Sequence, residues 1–393
     1  MKHTTILATV VLATRFFHLH LRFIALCIAG LVCLSPALAQ PQDGVRWDSR
    51  ANKWIYTLYN PDGSGVYKEI SYTPRNQVEP SVSSKVRSDK EGFEYRYLIA
   101  NKRHAKLPIN NITVRVPAWD ATAVFEPPPV PGETTPQTLT RVRAYLAKEK
   151  AFLNKTVYSP HTWEPFVNLK RPERVVFGWL ARYIEAQPNF SGIEPGQTQG
   201  SFAVLRPELP GVALMNIKGD TDDLMNAGSL PNTGPIAEHA AEVRSHDFVE
   251  VPVLVPAIIA PQPYNAAELA RRIKAHVNTW VVLEVIEPHL LDTLNIQLDR
   301  LVATLQVNDK AGARQAINTL LTSLLSKHPG MTQLRFENDA DEHDAQQLPN
   351  KMKVKQPSGK EAAPASTPAR PDIHRTAARA LGIDLRYLLA RMD

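Results

Sequence analysis

The stretch Val175–Asp220 reads VVFGWLARYIEAQPNFSGIEPGQTQGSFAVLRPELPGVALMNIKGD, and its punctuation decides the fold class. Three apolar segments rich in strand formers, Val175–Leu180, Ser201–Leu205 and Val212–Ile217, are separated by two turn clusters. The clusters are Ile193-Glu194-Pro195-Gly196 and Arg206-Pro207-Glu208-Leu209-Pro210-Gly211. Proline sets φ near about −65° and the glycine after it supplies φ > 0, which together make a type II turn. Strand, turn, strand, turn, strand predicts an antiparallel sheet.

Working outward, Trp54–Tyr59 and Val66–Tyr72 are aromatic-rich runs joined by Asn60-Pro61-Asp62-Gly63-Ser64-Gly65, a hairpin signature. Residues 73–91 are polar and read as a loop. In Phe93–Ile99 the residues Phe93, Tyr95, Tyr97 and Ile99 alternate with polar ones, and Ile112–Val116 repeats the pattern. Period 2 is what a half-buried strand requires, because successive side chains face opposite sides. Residues 117–136 are Pro-rich and irregular. Leu139, Val142, Leu146, Phe152 and Leu153 then predict a helix over 137–153, and 160–172 reads as a loop. An excursion with a short helix over 220–245 leads to a last strand, Phe248–Val255. Pro252, Pro256, Pro261 and Pro263 suit an edge strand passing into a linker, since proline cannot donate to a ladder.

Beyond residue 264 the period changes to 3.6. Asn265 and Glu268 form a capping box ahead of a stripe of Leu269, Ile273, Val277, Trp280 and Val281. Leu291, Leu294, Leu298, Leu301, Val302 and Leu305 make a second stripe, and Ile317, Leu320, Leu321, Leu324 and Leu325 a third. With Asn308-Asp309 between them and Pro329-Gly330 after, these two predict an antiparallel αα-hairpin. Residues 331–372 pass from acidic to basic to Ala/Pro/Ser/Thr, a composition that cannot offset the entropy of ordering, and read as a disordered tether. Ile373, Ala377, Leu381, Leu385, Leu388 and Leu389 mark a terminal amphipathic helix.

The N-terminus points to export. Arg15 and Arg22 precede the apolar run Phe23–Leu34, and Ala37-Leu38-Ala39 precedes Gln40. A basic region, a short apolar core and an A-x-A site describe a secretory signal peptide, residues 1–39. Twelve apolar residues are too few to cross about 30 Å of hydrocarbon at about 1.5 Å each. Both cysteines, Cys27 and Cys33, lie inside that segment. The exported chain would then have neither a disulfide nor a thiolate nucleophile, and would carry no transmembrane span.

The formal charge is +6 over 393 residues. Residues 1–39 hold three cations and no Asp or Glu, so the remainder carries +3. That excess is too small to argue for nucleic acid. The 44% apolar and 21% charged fractions are those of a globular chain, and 32 prolines favour short strands with stiff turns.

Three groups invite a site. Lys102, Arg103, His104 and Lys106 crowd the connection between the two best strands, a basic tip suited to an anionic envelope polymer or a partner's acidic patch. An ordinary charged hairpin is the plainer reading. His239, Glu242 and His246 have i, i+3, i+7 spacing and would share a helix face as a metal candidate, although HxxExxxH is not an established zinc pattern. Leu381, Leu385, Leu388 and Leu389 of the terminal helix form a candidate docking stripe for a partner, because a long tether before a helix suits a hook. The sequence contains no nucleophile elbow, HExxH, Walker or dinucleotide glycine loop, and no cofactor is expected. A glycosidase-type carboxylate pair has no local spacing and leaves an envelope hydrolase as the alternative.

At Phe177-Gly178-Trp179, Ile193-Glu194-Pro195-Gly196, Gly200-Ser201-Phe202 and Leu209-Pro210-Gly211 the chain resembles uncharacterised exported bacterial proteins with an immunoglobulin-like or fibronectin-III-like β-sandwich. The leucine hairpin 291–327 is similar to helical modules near the C-termini of some cell-surface proteins. These motifs are turn and core residues, so the resemblance implies a fold and carries over no catalytic residue. The expectation is an α+β chain. An antiparallel immunoglobulin-like sandwich over 45–260, with an inserted helix near 137–153, precedes a helical segment over 265–330, a disordered tail and the terminal helix at 373–393. Its expected role is non-catalytic binding or scaffolding in the bacterial envelope, with an envelope protein or glycan as partner, or as accessory subunit of a secretion or surface complex.

Overall fold

The computed structural model describes residues 44–116, 130–181, 192–220, 230–327 and 372–392, apart from residues 61, 63, 90, 172–173 and 232. The expected signal peptide, the Pro329-Gly330 stop and the tether through residue 371 lie outside the described residues, as does 117–129 of the Pro-rich stretch. Twelve strands and six α-helices are described. The strands before the first helix are β1 (Gly44–Asp48), β2 (Lys53–Tyr59), β3 (Val66–Tyr72), β4 (Pro80–Asp89), β5 (Gly92–Asn101) and β6 (Ile109–Val116). After α1 (Thr135–Thr156) come β7 (Val157–Tyr158), β8 (Trp163–Arg171), β9 (Arg174–Ala181), β10 (Thr198–Arg206) and β11 (Leu209–Gly219). Then follow α2 (Pro235–Ser245), β12 (Val249–Ile258), α3 (Ala266–Val277), α4 (Pro288–Gln306), α5 (Lys310–Lys327) and α6 (Arg375–Ala390).

The chain divides into two compact units. In the first, the predicted hairpin β2–β3 pairs with β1 as an antiparallel three-stranded sheet of its own, rather than joining the sandwich. Period 2 puts Tyr56, Leu58, Ile70 and Tyr72 on one buried face. Leu230, Ile236 and Ala240 are also buried in this part of the chain.

The second unit contains two sheets, ordered β4-β5-β10-β7 and β12-β11-β6-β9-β8, with every pairing antiparallel. They share one core. Tyr97 and Phe202 of the first sheet meet Trp179 of the second edge to face, with centroids 5.8 and 5.5 Å apart, and Trp163 adds a third such contact to Phe202 at 5.0 Å. Polar groups that enter this core are tied across it. Tyr97 Oη donates to Leu254 O at 2.9 Å, Ser84 Oγ accepts from Leu254 N at 3.0 Å, and Trp179 Nε1 donates to Tyr158 O at 2.9 Å.

Several expectations change here. The three segments of Val175–Asp220 are all strands, but β9 and β11 lie in the five-stranded sheet and β10 in the other. The stretch therefore crosses between layers, and only two residues, Pro207 and Glu208, turn the chain from β10 to β11. Tyr95 Oη holds that link by donating to Glu208 O at 2.6 Å. Pro195-Gly196 is the turn expected, with Gly196 at φ +86° and Gln197 N donating to Glu194 O at 2.9 Å. Gly211 is not a turn residue; it sits inside β11 opposite Val255.

Two stretches read as loops are strands. β4 occupies 80–89 and β8 occupies 163–171, and each lies at a sheet edge. Pro80 begins β4 and Pro165 sits within β8, which an edge tolerates because one side of the ladder is open. The helix expected over 137–153 is the longer α1; Val142, Phe152 and Leu153 of its expected stripe are half-buried and Tyr145 is buried, while Leu139 and Leu146 are exposed. β12 holds the expected edge position, with Pro252 and Pro256 in it.

α3 begins where the capping signal places it, Asn265 Oδ1 accepting from Glu268 N at 2.9 Å. Leu269, Ile273, Val277 and Trp280 are buried, and α4 and α5 bury the predicted leucines against α3 and each other. α6 packs against β11, β12, α3 and α5. Among the described residues no helix is long and apolar enough to cross a membrane.

Candidate functional site

The basic tip is built from the inside out. Along β5 the inward positions are Phe93, Tyr95, Tyr97 and Ile99, and the next in phase is Asn101, a polar residue only 1% exposed. A buried amide must find partners, and Asn101 finds them on three loops. Its Nδ2 donates to Leu107 O at 2.8 Å and to Ile193 O at 3.0 Å, and its Oδ1 accepts from Glu79 N at 3.1 Å. Its backbone adds Asn101 N to Gln197 O at 2.9 Å and Gly196 N to Asn101 O at 2.7 Å. The connection is bonded to its neighbours as well: Lys102 N donates to Glu79 O and Lys106 N to Gln77 O, both at 3.0 Å.

On this frame Lys102, Arg103, His104 and Lys106 all point outward and are exposed, and none forms an ion pair with another described residue. Gly196 packs under Arg103, whose Cγ lies 3.0 Å from where a Cβ at that position would sit. Three cations and a histidine thus occupy four of the five positions 102–106, on a connection whose backbone is hydrogen-bonded to its neighbours. Such a tip attracts an anion without first having to order its loop. The sequence reading found the cations but not Asn101. Its signal was there, a polar residue at the inward phase of an otherwise apolar alternation.

The metal face does not assemble. Among the described residues no group of three or more His, Cys, Asp or Glu side chains is close enough to hold an ion. His239 instead joins the aromatic residues of the first sheet, with Trp54 at 4.6 Å and Tyr56 at 5.8 Å between centroids and Tyr56 Oη 3.4 Å from its Nδ1. Glu242 is exposed farther along α2, and His246 is exposed just beyond its end. Trp54 also meets Trp47 at 5.1 Å, and Trp47 is 42% exposed at the sheet edge.

The docking stripe is already occupied. Leu381, Leu385 and Leu388 are fully buried in the chain's own core and Leu389 is half-buried, so none of them is offered to a partner in this conformation. The reason is tertiary. The apolar face of α6 finds β11, β12, α3 and α5 within its own chain.

Two buried titratable groups lie in the same unit. His276, on α3, accepts at Nε2 from Val212 N at 3.0 Å, and burial lowers its pKa to about 4, so the imidazole is neutral. Gly211 beside it leaves room for the ring, since a Cβ there would collide with Nε2. Asp384, on α6, is 1% exposed with Oδ1 unpartnered among the described residues, and burial pushes its carboxyl well above the usual carboxylate range. Neither faces solvent, so they serve the fold. Comparison with known proteins brings no match: no family model, no curated protein and no solved structure is similar to this chain.

Proposed function

We propose that the chain is an exported, non-catalytic binding or scaffolding protein of the bacterial cell envelope, and that its basic tip takes an anionic envelope polymer. The observation that carries this reading is the set Lys102, Arg103, His104 and Lys106, exposed and without an ion pair to any described residue, on a connection pinned by buried Asn101. Loops carried on a rigid two-sheet frame are where recognition concentrates. The immunoglobulin-like description is supported by strand order, with β4-β5-β10 in one sheet and β12-β11-β6-β9 in the other. Export rests on Arg15, Arg22, the apolar run Phe23–Leu34 and Ala37-Leu38-Ala39.

The test uses the chain beginning at Gln40 with inorganic polyphosphate as a defined anionic probe. Binding should weaken as salt rises, because exposed charges are screened. Replacing Lys102, Arg103, His104 and Lys106 together by Ala should reduce affinity roughly tenfold or more. Unchanged affinity in that variant would overturn the assignment of the tip.

A further inference from the structure

The segment 372–392 is far from the rest of its unit in sequence and adjacent to it in space. Residues 328–371 separate Lys327 from Asp372, yet Lys327 Nζ lies 2.6 Å from Asp372 Oδ2. Two backbone hydrogen bonds among the described residues join the segment to the unit, His374 N to Val285 O at 2.7 Å and Glu287 N to Asp372 O at 2.8 Å. They flank the single bridge between Ile286 and Ile373. Side chains add Arg379 Nη1 to Ser84 O at 2.9 Å, Thr376 Oγ1 to Pro252 O at 3.5 Å, and the Arg391 guanidinium 5.3 Å from the Tyr264 ring centroid. Apolar packing holds the rest.

A helix satisfies its own backbone, so α6 could leave without stranding its amides, whereas β11 is laddered on both sides by β6 and β12. The helix also brings two buried polar atoms that find no partner among the described residues, Asp384 Oδ1 and Arg386 Nε. Each gives up hydration on docking and gets no hydrogen bond in return, so α6 is held less tightly than its buried leucines suggest. We propose that 372–392 is a detachable core element, which undocks as a unit and opens the apolar surface of β11, β12, α3 and α5 while both sheets keep their fold. This goes beyond the binding reading and is independent of the tip.

Hydrogen exchange on the full chain tests it. Amides of residues 377–389 should exchange at least about tenfold faster than those of 212–217 and 253–255, through an opening that exposes less surface than unfolding of the sheets does. Asp384→Leu should slow exchange in α6 by roughly tenfold and leave the ratio of β11 to β12 unchanged, with Asp384→Asn as the milder companion. Equal protection in α6 and β11, moving together in both variants, would show one cooperative unit and sink the proposal. As a second measurement, a protease site is placed between residues 340 and 360 and cut in the folded chain. On dilution the terminal fragment should leave a body whose sheet signal persists; unfolding of the body together with release overturns the idea.

Discussion

Asn101 shows how a single residue can matter more than its chemistry suggests. It ends an alternation of apolar inward residues, and its amide joins Glu79, Leu107 and Ile193 into one frame under the cationic tip. Asn101→Ala should cost about 3 kcal/mol, since three backbone groups lose a buried partner. A urea midpoint would measure the loss, and exchange of the 102–107 amides should rise with it. Gly211 is constrained from the other direction. Its neighbour His276 and the methyl of Ala257 occupy the space a side chain would need. Gly211→Ala should destabilise by roughly 2 kcal/mol or more through overpacking, read by thermal unfolding.

At the level of elements, the helices were legible because 3.6-residue stripes and caps are local. Asn265 and Glu268 started α3 as expected. Asn265→Ala should cost about 1 kcal/mol and leave the sheets untouched, a difference that thermal unfolding would resolve. β4 and β8 were not legible. An edge strand needs to bury only one face and can carry proline, so Ser81–Ser84 and Pro165 looked like loop. α1 shows a third case: it extends beyond the expected 137–153 at both ends, and of its expected stripe Val142, Phe152 and Leu153 turn inward while Leu139 and Leu146 are exposed and Tyr145 is buried.

For the whole molecule, two buried groups set opposing pH trends. His276 has its folded pKa lowered from 6.5 to about 4, so the unfolded chain binds the extra proton between those values. Its contribution is complete above about pH 6.5 and is lost as pH falls toward 4, amounting to roughly 3 kcal/mol. Asp384 is raised above 3.8, so the unfolded chain releases a proton that the folded chain keeps, and stability declines as pH rises from 3.8 toward the folded value. Tyr95 lies near Asp384 electrostatically, with Glu208 and Arg206, themselves paired, acting on the same phenol. Above about pH 4, where both groups titrate, the two slopes have opposite sign. His276→Gln should therefore make stability fall with rising pH in that window, and Asp384→Asn should make it rise. Denaturant midpoints at pH 4.5 and 6.5 check both; parallel slopes in the two variants would contradict the assignment.

Local patterns were legible from the residues alone: the alternating strands β5 and β6, the hairpin β2–β3, the Pro195-Gly196 turn, the cap of α3 and the leucine stripes of α4 and α5, and the basic cluster at 102–106. Each is written within a few residues, at the period of its own element. Long-range packing sets the rest: the segments of Val175–Asp220 alternate between two sheets, the hairpin pairs with β1, and His239 joins an aromatic cluster rather than a metal face. It also decided that α6 packs into its own core. Those outcomes depend on which surfaces meet across long separations in sequence, and an apolar stripe carries no label for the partner that will cover it.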